Sequence, residues 1–112
     1  FEDAPFGLVG LETALGLAIT ELVENGVIDM ATLVERMTTA PARAFNLPGG
    51  TLAREAIADV TVFDPAWEWT VDPKQLLSRS RNTPFAGRVL RGRAVYTIVG
   101  GRIVHDASGE RA

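Results

Sequence analysis

The chain has 112 residues, 46% of them hydrophobic and 22% charged, with a formal net charge of −3. That is enough for one small domain or a piece of a larger one, too apolar for a disordered segment, and without the ~20 uncharged apolar residues of a membrane span. The absence of cysteine excludes a disulfide scaffold, a thiolate metal site and a cysteine nucleophile, and His105, the single histidine, cannot by itself build a catalytic zinc site, which takes two or three.

The opening FEDAPFG is neither charged nor signal-like and begins on Phe1 beside a Gly-containing turn, which predicts a piece of a longer protein. Leu11, Ala14, Leu15, Ala18, Ile19, Leu22 and Val23 then follow helical spacing and predict one apolar stripe, with Glu12, Thr20, Glu21 and Glu24 mostly opposite. Leu17 lies off the stripe and implies packing on more than one side. Asn25-Gly26 ends this helix, because both residues tolerate a left-handed cap. Asp29 reads as the N-cap of a second helix whose buried stripe is Met30, Leu33, Val34 and Met37. Pro41 suits the first turn of a short third helix through Phe45.

After Leu47-Pro48-Gly49-Gly50 the hydrophobic period changes from helical to alternating. Val60, Val62 and Phe63 form a short run that ends in a turn at Asp64-Pro65. Trp67, Trp69 and Val71 alternate with Glu68 and Thr70, the pattern of a half-buried strand. Val89 and Leu90 lead toward a hairpin in which Val95–Val99 and Arg102–His105 flank Gly100-Gly101, since a type I′ turn needs φ > 0 at both central residues. The tail after Asp106 is small and polar and is expected to fray. Charge divides along similar lines: residues 1–56 hold eight acids and three bases, residues 57–112 six acids and eight bases. The fold class is therefore α+β, with helices over 1–47 and antiparallel strands over 48–112.

Few residues suggest chemistry on pattern alone. Phe6-Gly7-Leu8-Val9-Gly10 sets two glycines before a helix, where backbone N–H groups can attract anions, but by spacing it reads as a tight turn. His105 beside Asp106 has no nucleophile motif near it and reads as a strand-end histidine. Glu2-Asp3 reads as a solvated loop rather than a catalytic carboxylate pair. Arg79, Arg81, Arg88, Arg91, Arg93 and Arg102 form a basic stretch with only Phe85 and Tyr96 near for stacking, so a solvated or inter-domain face is favoured over a nucleic-acid surface. Trp67 and Trp69 share one strand face and read as packing groups. Asn82-Thr83-Pro84-Phe85 is a Pro-fixed loop to which composition assigns no role.

Taken together, five stretches resemble the C-terminal part of dihydroorotases, zinc enzymes of the cyclic amidohydrolase family. They are residues 4–13 (APFGLVGLET), 40–43 (APAR), 58–65 (ADVTVFDP), 81–87 (RNTPFAG) and 96–104 (YTIVGGRIV). The Ala58-Asp59 strand motif and the terminal hairpin are shared among amidohydrolases, whereas PFGLVGLET and RNTPFAG are more specific. The chain departs from the family pattern at Glu55, where a glycine is usual, and at Arg79, where a lysine is common.

The resemblance implies a (β/α)₈ barrel joined to a urease-like β-sandwich, with the last barrel loop and helices in 1–47 and sandwich strands in 48–112. It implies that the metal-binding histidines, the carboxylated lysine and the catalytic aspartate stand upstream, so that this piece contributes no catalytic or metal residue and is inactive alone. Phe6 and Gly7 match residues that line the substrate site. The implied cofactor is zinc, bound outside this chain, and the implied reaction interconverts N-carbamoyl-aspartate and dihydroorotate in pyrimidine synthesis. The implied partners are that small-molecule substrate, the rest of the barrel, and a second copy or aspartate transcarbamoylase; neither nucleic acid nor membrane is among them. A cytoplasmic location follows from the same resemblance. Two alternatives stay open: an allantoinase or hydantoinase-like relative, which RNTPF fits less well, and a non-catalytic dihydroorotase-like scaffold subunit.

Overall fold

The computed structural model of the chain describes residues 7–110. Phe6, Glu2 and Asp3 lie outside the described residues. After a turn at Leu11–Thr13, helix α1 spans Ala14–Ala18 and continues into a π-helical turn, Ile19–Val23, closed by Glu24 N–H donating to the Ile19 carbonyl at 3.0 Å. The stop expected at Asn25-Gly26 is there, and the Asn25 amide donates to the Glu21 carbonyl at 2.9 Å. Helix α2 (Met30–Met37) starts at Asp29, whose Oδ1 accepts from Thr32 N–H at 2.7 Å, as its N-cap role requires. Helix α3 (Thr39–Ala44) follows directly, and Arg43 reaches back to Glu35 at 2.8 Å.

Strands β1 (Val60–Thr70), β2 (Val89–Val99) and β3 (Arg102–Asp106) form one antiparallel sheet in the order β1-β2-β3. Val99 pairs with Arg102 around the two-residue turn, where Gly100 and Gly101 have φ of 54° and 78°. The hairpin is clipped to the start of β1: Gly100 N–H donates to Asp59 Oδ1 at 2.7 Å and Gly101 N–H to the Ala58 carbonyl at 3.0 Å. Trp67 and Trp69 are half-buried and Val71 is buried, with Glu68 and Thr70 facing out, as the alternation predicts.

The expected turn at Asp64-Pro65 is instead an irregularity inside one 11-residue strand, whose register against β2 slips between Asp64 and Glu68. Pro65 has no N–H to give the ladder, and a bulge is where a strand tolerates that. The Asp64 carboxylate takes up the freed Ala66 N–H at 2.8 Å. The tail also departs from expectation. Ala107 is fully buried and donates to the Val95 carbonyl at 2.8 Å, Ser108–Glu110 make a 3₁₀ turn, and Glu110 pairs with Arg93 at 2.7 Å. Burial and an ion pair thus hold a segment whose composition alone predicts fraying.

Ile19, Leu33, Val71, Leu76, Leu90 and Ala107 are the buried apolar residues. The first helix reaches the sheet through two glycines. A Cβ on Gly16 would stand 3.2 Å from Leu90, and one on Gly92 would collide with Ile19 Cδ1. The predicted helical stripes are only partly covered. Ile19 and Leu33 are buried, whereas Leu11 is 92% exposed and Leu22, Val34 and Met37 are also exposed. The first helix packs on β2, and its π-helical end also meets α2.

Candidate functional site

Gly7 is exposed, at φ 72°, and a Cβ added there would meet no described atom within 4 Å. A left-handed φ suits glycine, so the sequence places glycine where the backbone needs it. Gly10 does not open α1. Its carbonyl instead accepts both the Thr13 N–H and the Thr13 hydroxyl at 3.2 Å, so the Leu11–Thr13 turn separates the two glycines from the helix.

A loop 75 positions away holds this segment. Asn82 Nδ2 donates to the Gly7 carbonyl at 2.5 Å, and Val9 N–H donates to the Asn82 carbonyl at 2.9 Å. Farther along, the Glu12 carboxylate accepts from Leu77 N–H at 2.9 Å and from Ser78 N–H at 3.0 Å. Arg81 folds back onto the Ser78 and Ser80 carbonyls. Burial pushes the Glu12 carboxyl up, but the two backbone donors, the Ser78 side chain and the Arg81 charge outweigh it and hold the group below its ordinary value. Residues 7–12 and 77–82 therefore lie side by side, tied at both ends. Residues 7–12 and Arg81-Asn82 belong to the two stretches that carry the most specific sequence resemblance, and residues 77–80 run up to the second. Glu12 and Asn82 had no assigned role in the sequence because no spacing rule relates residues so far apart.

The other candidates resolve into structural roles. His105 is half-buried on β3, and Asp106 turns to Ser108, accepting from its N–H at 2.9 Å and its hydroxyl at 2.6 Å. The Ser108 hydroxyl and N–H, with His105 nearby, hold the Asp106 carboxyl below its ordinary value. Among the described residues no group of three or more His, Cys, Asp or Glu could hold a metal ion, so the donor set does not fit a zinc centre. Three of the arginines, Arg88, Arg91 and Arg93, meet other elements. Arg88 pairs with Glu21, Arg91 with Glu24 at 2.5 Å, and the Arg93 guanidinium lies 5.2 Å and 5.5 Å from the Trp67 and Trp69 ring centres. Between the helices and the sheet lies an open, mostly apolar hollow of about 1050 Å³, bordered by Leu11, Leu15, Leu33, Trp69, Leu77 and His105.

The sequence model of the Amidohydrolase family matches residues 8–104. The chain belongs to the amidohydrolase family. Curated relatives of this amidohydrolase chain include a dihydroorotase from Anaeromyxobacter sp. (strain K), 58% identical over 106 residues, covering 95% of this chain and 24% of the relative. A dihydroorotase from Pelotomaculum thermopropionicum is 52% identical over 104 residues, covering 93% of this chain and 24% of the relative. Similar solved structures are hydantoinases. The L-hydantoinase of Arthrobacter aurescens superposes with a TM-score of 0.84 at 34% identity, over 92% of this chain and 23% of that one. The D-hydantoinase of Thermus sp. gives 0.84 at 28% identity, over 95% and 24%. The chain thus spans about a quarter of the length of the relatives it matches. The α+β arrangement seen here is that of one region of amidohydrolases.

Proposed function

We propose that this chain is the C-terminal quarter of a dihydroorotase, which interconverts N-carbamoyl-L-aspartate and dihydroorotate in pyrimidine synthesis. The observation that carries the reading is the 58% identity to a dihydroorotase across 95% of the chain, against 34% to the L-hydantoinase. In this reading residues 1–47 close a (β/α)₈ barrel and residues 48–112 supply sandwich strands. The rest of the barrel covers the open hollow and exposed Leu11. Zinc and the groups that do the chemistry belong to the remainder of the protein, so the 112 residues alone are inactive. The enzyme works in the cytoplasm, and no helix among the described residues is long and apolar enough to cross a membrane.

The part this chain plays is to bind substrate. Barrel active sites form at the loops that follow the strands. Dihydroorotate carries a ring carboxylate, and Phe6 and Gly7 meet that polar edge through backbone N–H groups. The left-handed backbone of Gly7 supports the contact. The full-length enzyme tests the assignment. Turnover of dihydroorotate with little turnover of hydantoin or allantoin supports it, and the reverse preference establishes the hydantoinase-like alternative. A metal-free protein that turns over none of the three is a scaffold subunit.

Two substitutions test the loop. Gly7→Asn tolerates φ > 0 yet adds a side chain, whereas Gly7→Val is strained as well. If Gly7 only permits the turn, Gly7→Asn retains normal kinetics. If it meets substrate, both variants lower kcat/KM, by about a hundredfold for Gly7→Val, since ~1 Å of misplacement costs that much. Phe6→Leu is mild, because a backbone contact does not read the side chain.

A further inference from the structure

We propose that Asn82 is a positioning residue for the reaction: its side-chain amide anchors the Gly7 backbone beside the N–H that meets substrate. The inference rests on the substrate role of Gly7 proposed above.

Gly7 has no side chain to restrict its backbone and sits on an exposed loop. Left alone, such a residue would sample many φ/ψ pairs, and each would aim its N–H differently. Asn82 removes that freedom from two sides. Its Nδ2 donates to the Gly7 carbonyl at 2.5 Å, while its own carbonyl accepts from Val9 N–H at 2.9 Å. One residue therefore grips the backbone on both sides of Leu8. No described peptide bond is cis. In a trans peptide C=O and N–H point in opposite directions, so fixing the Gly7 carbonyl toward Asn82 also fixes the Leu8 N–H, and the Gly7 N–H, in the preceding peptide, can then turn only about Gly7 φ and ψ. The Gly7 N–H is thus restricted before any substrate arrives, and part of its ordering cost does not fall on binding.

Asn82 is itself held. Its N–H donates to Ser80 Oγ at 3.2 Å, Arg81 ties to the Ser78 carbonyl, and Ser78 N–H is bound by Glu12 at 3.0 Å. The path starts at Gly7 and returns to the same loop at Glu12. The side chain at 82 has to donate, because its target is a carbonyl. An aspartate of the same shape would set a carboxylate oxygen against that carbonyl. The Val9 bond uses the backbone of residue 82 and survives either change, so the loop keeps its general course when the amide is lost.

The test uses the full-length enzyme, with KM and kcat for dihydroorotate, bound metal and melting temperature measured together. Asn82→Ala is expected to raise KM about tenfold with a smaller change in kcat, and with wild-type metal content and melting temperature. Asn82→Asp, isosteric and without the donor, is expected to raise KM at least as much. Combined with Gly7→Asn, Asn82→Ala should add less than its separate effect, because both act on the Gly7 backbone. Wild-type KM in both Asn82 variants, with Gly7→Asn impaired, overturns the positioning role and leaves the Gly7 contact standing. Wild-type kinetics in Gly7→Asn overturns the Gly7 contact itself. Parallel loss of metal, melting temperature and activity in both Asn82 variants overturns the proposal in favour of a purely structural bond.

Discussion

Around Gly92 the first helix is packed against β2 so closely that Gly92 has no room for a side chain and one on Gly16 would press on Leu90. Around Asn82 the loop before that helix is held to the strand half by hydrogen bonds between exposed or half-buried groups. Both junctions join sequence segments far apart, yet they differ in what they can do. Packing resists any change of volume and is indifferent to pH. Hydrogen bonds in water are worth little net, but they set direction, which packing of a glycine loop cannot do. The first junction is built of close packing, and the second of directed hydrogen bonds.

The largest effect is expected from breaking the packed junction. Gly92 lies at φ 93°, and a Cβ there would collide with Ile19. Overpacking costs about 1–3 kcal/mol and a non-glycine residue at such a φ about 1–2 kcal/mol more. Gly92→Ala should therefore destabilise by about 2–5 kcal/mol in a denaturant titration, and the Ile19→Val second change should recover part of it. No recovery would mean that backbone strain, not the helix contact, is the cause.

Acid separates the junctions further. Glu12 has its folded-state pKa below the ordinary value of 4.5. Its bonds to Leu77 and Ser78 thus contribute stability above the unfolded value, lost as pH falls through the lower folded one. Glu12→Gln should be slightly less stable than the wild type at neutral pH and should lose less on acidification. Asp29 and Asp106 are depressed too and acidify in both proteins, so the difference between the two profiles isolates Glu12. Identical slopes for wild type and Glu12→Gln would show that the clamp carries no stability.

Local features were legible in the sequence. The Gly100-Gly101 hairpin and the Asp29 cap depend on neighbours within a few residues, and both formed as read. The helical stripe of Leu11 to Val23 was legible as a helix, but not which half of it would be covered, because the cover comes from elsewhere in the fold. Asp64-Pro65 reads as a turn until β2 is present to continue the ladder beyond it. Residues 4–13 and 81–87 stand out by resemblance, and the proposed site residue Gly7 with them. That Asn82 binds Gly7 was hidden, since the bond spans 75 positions and no periodicity encodes it.

The smallest effect concerns Glu55, where the family pattern usually has glycine. Glu55 sits at φ 66°, inside a turn closed by Ala56 N–H donating to the Ala53 carbonyl at 3.2 Å. A positive φ at the third residue is what a type II turn requires, and glycine or asparagine supplies it without strain. Glutamate bears a steric cost of about 1–2 kcal/mol there. Glycine removes it but gives the unfolded chain more freedom, an offset of about 0.4–1 kcal/mol. Glu55→Gly should therefore stabilise the full-length protein by about 0.5–1 kcal/mol. Glu55→Ala keeps the Cβ and its strain, so it should gain nothing. Glu55→Asn should fall between the two. The turn leads to Ala58 and Asp59, which clip the hairpin, and touches neither junction, so KM for dihydroorotate should stay unchanged in all three variants. Equal stability of the glycine and alanine variants would show that the left-handed backbone at residue 55 carries no strain.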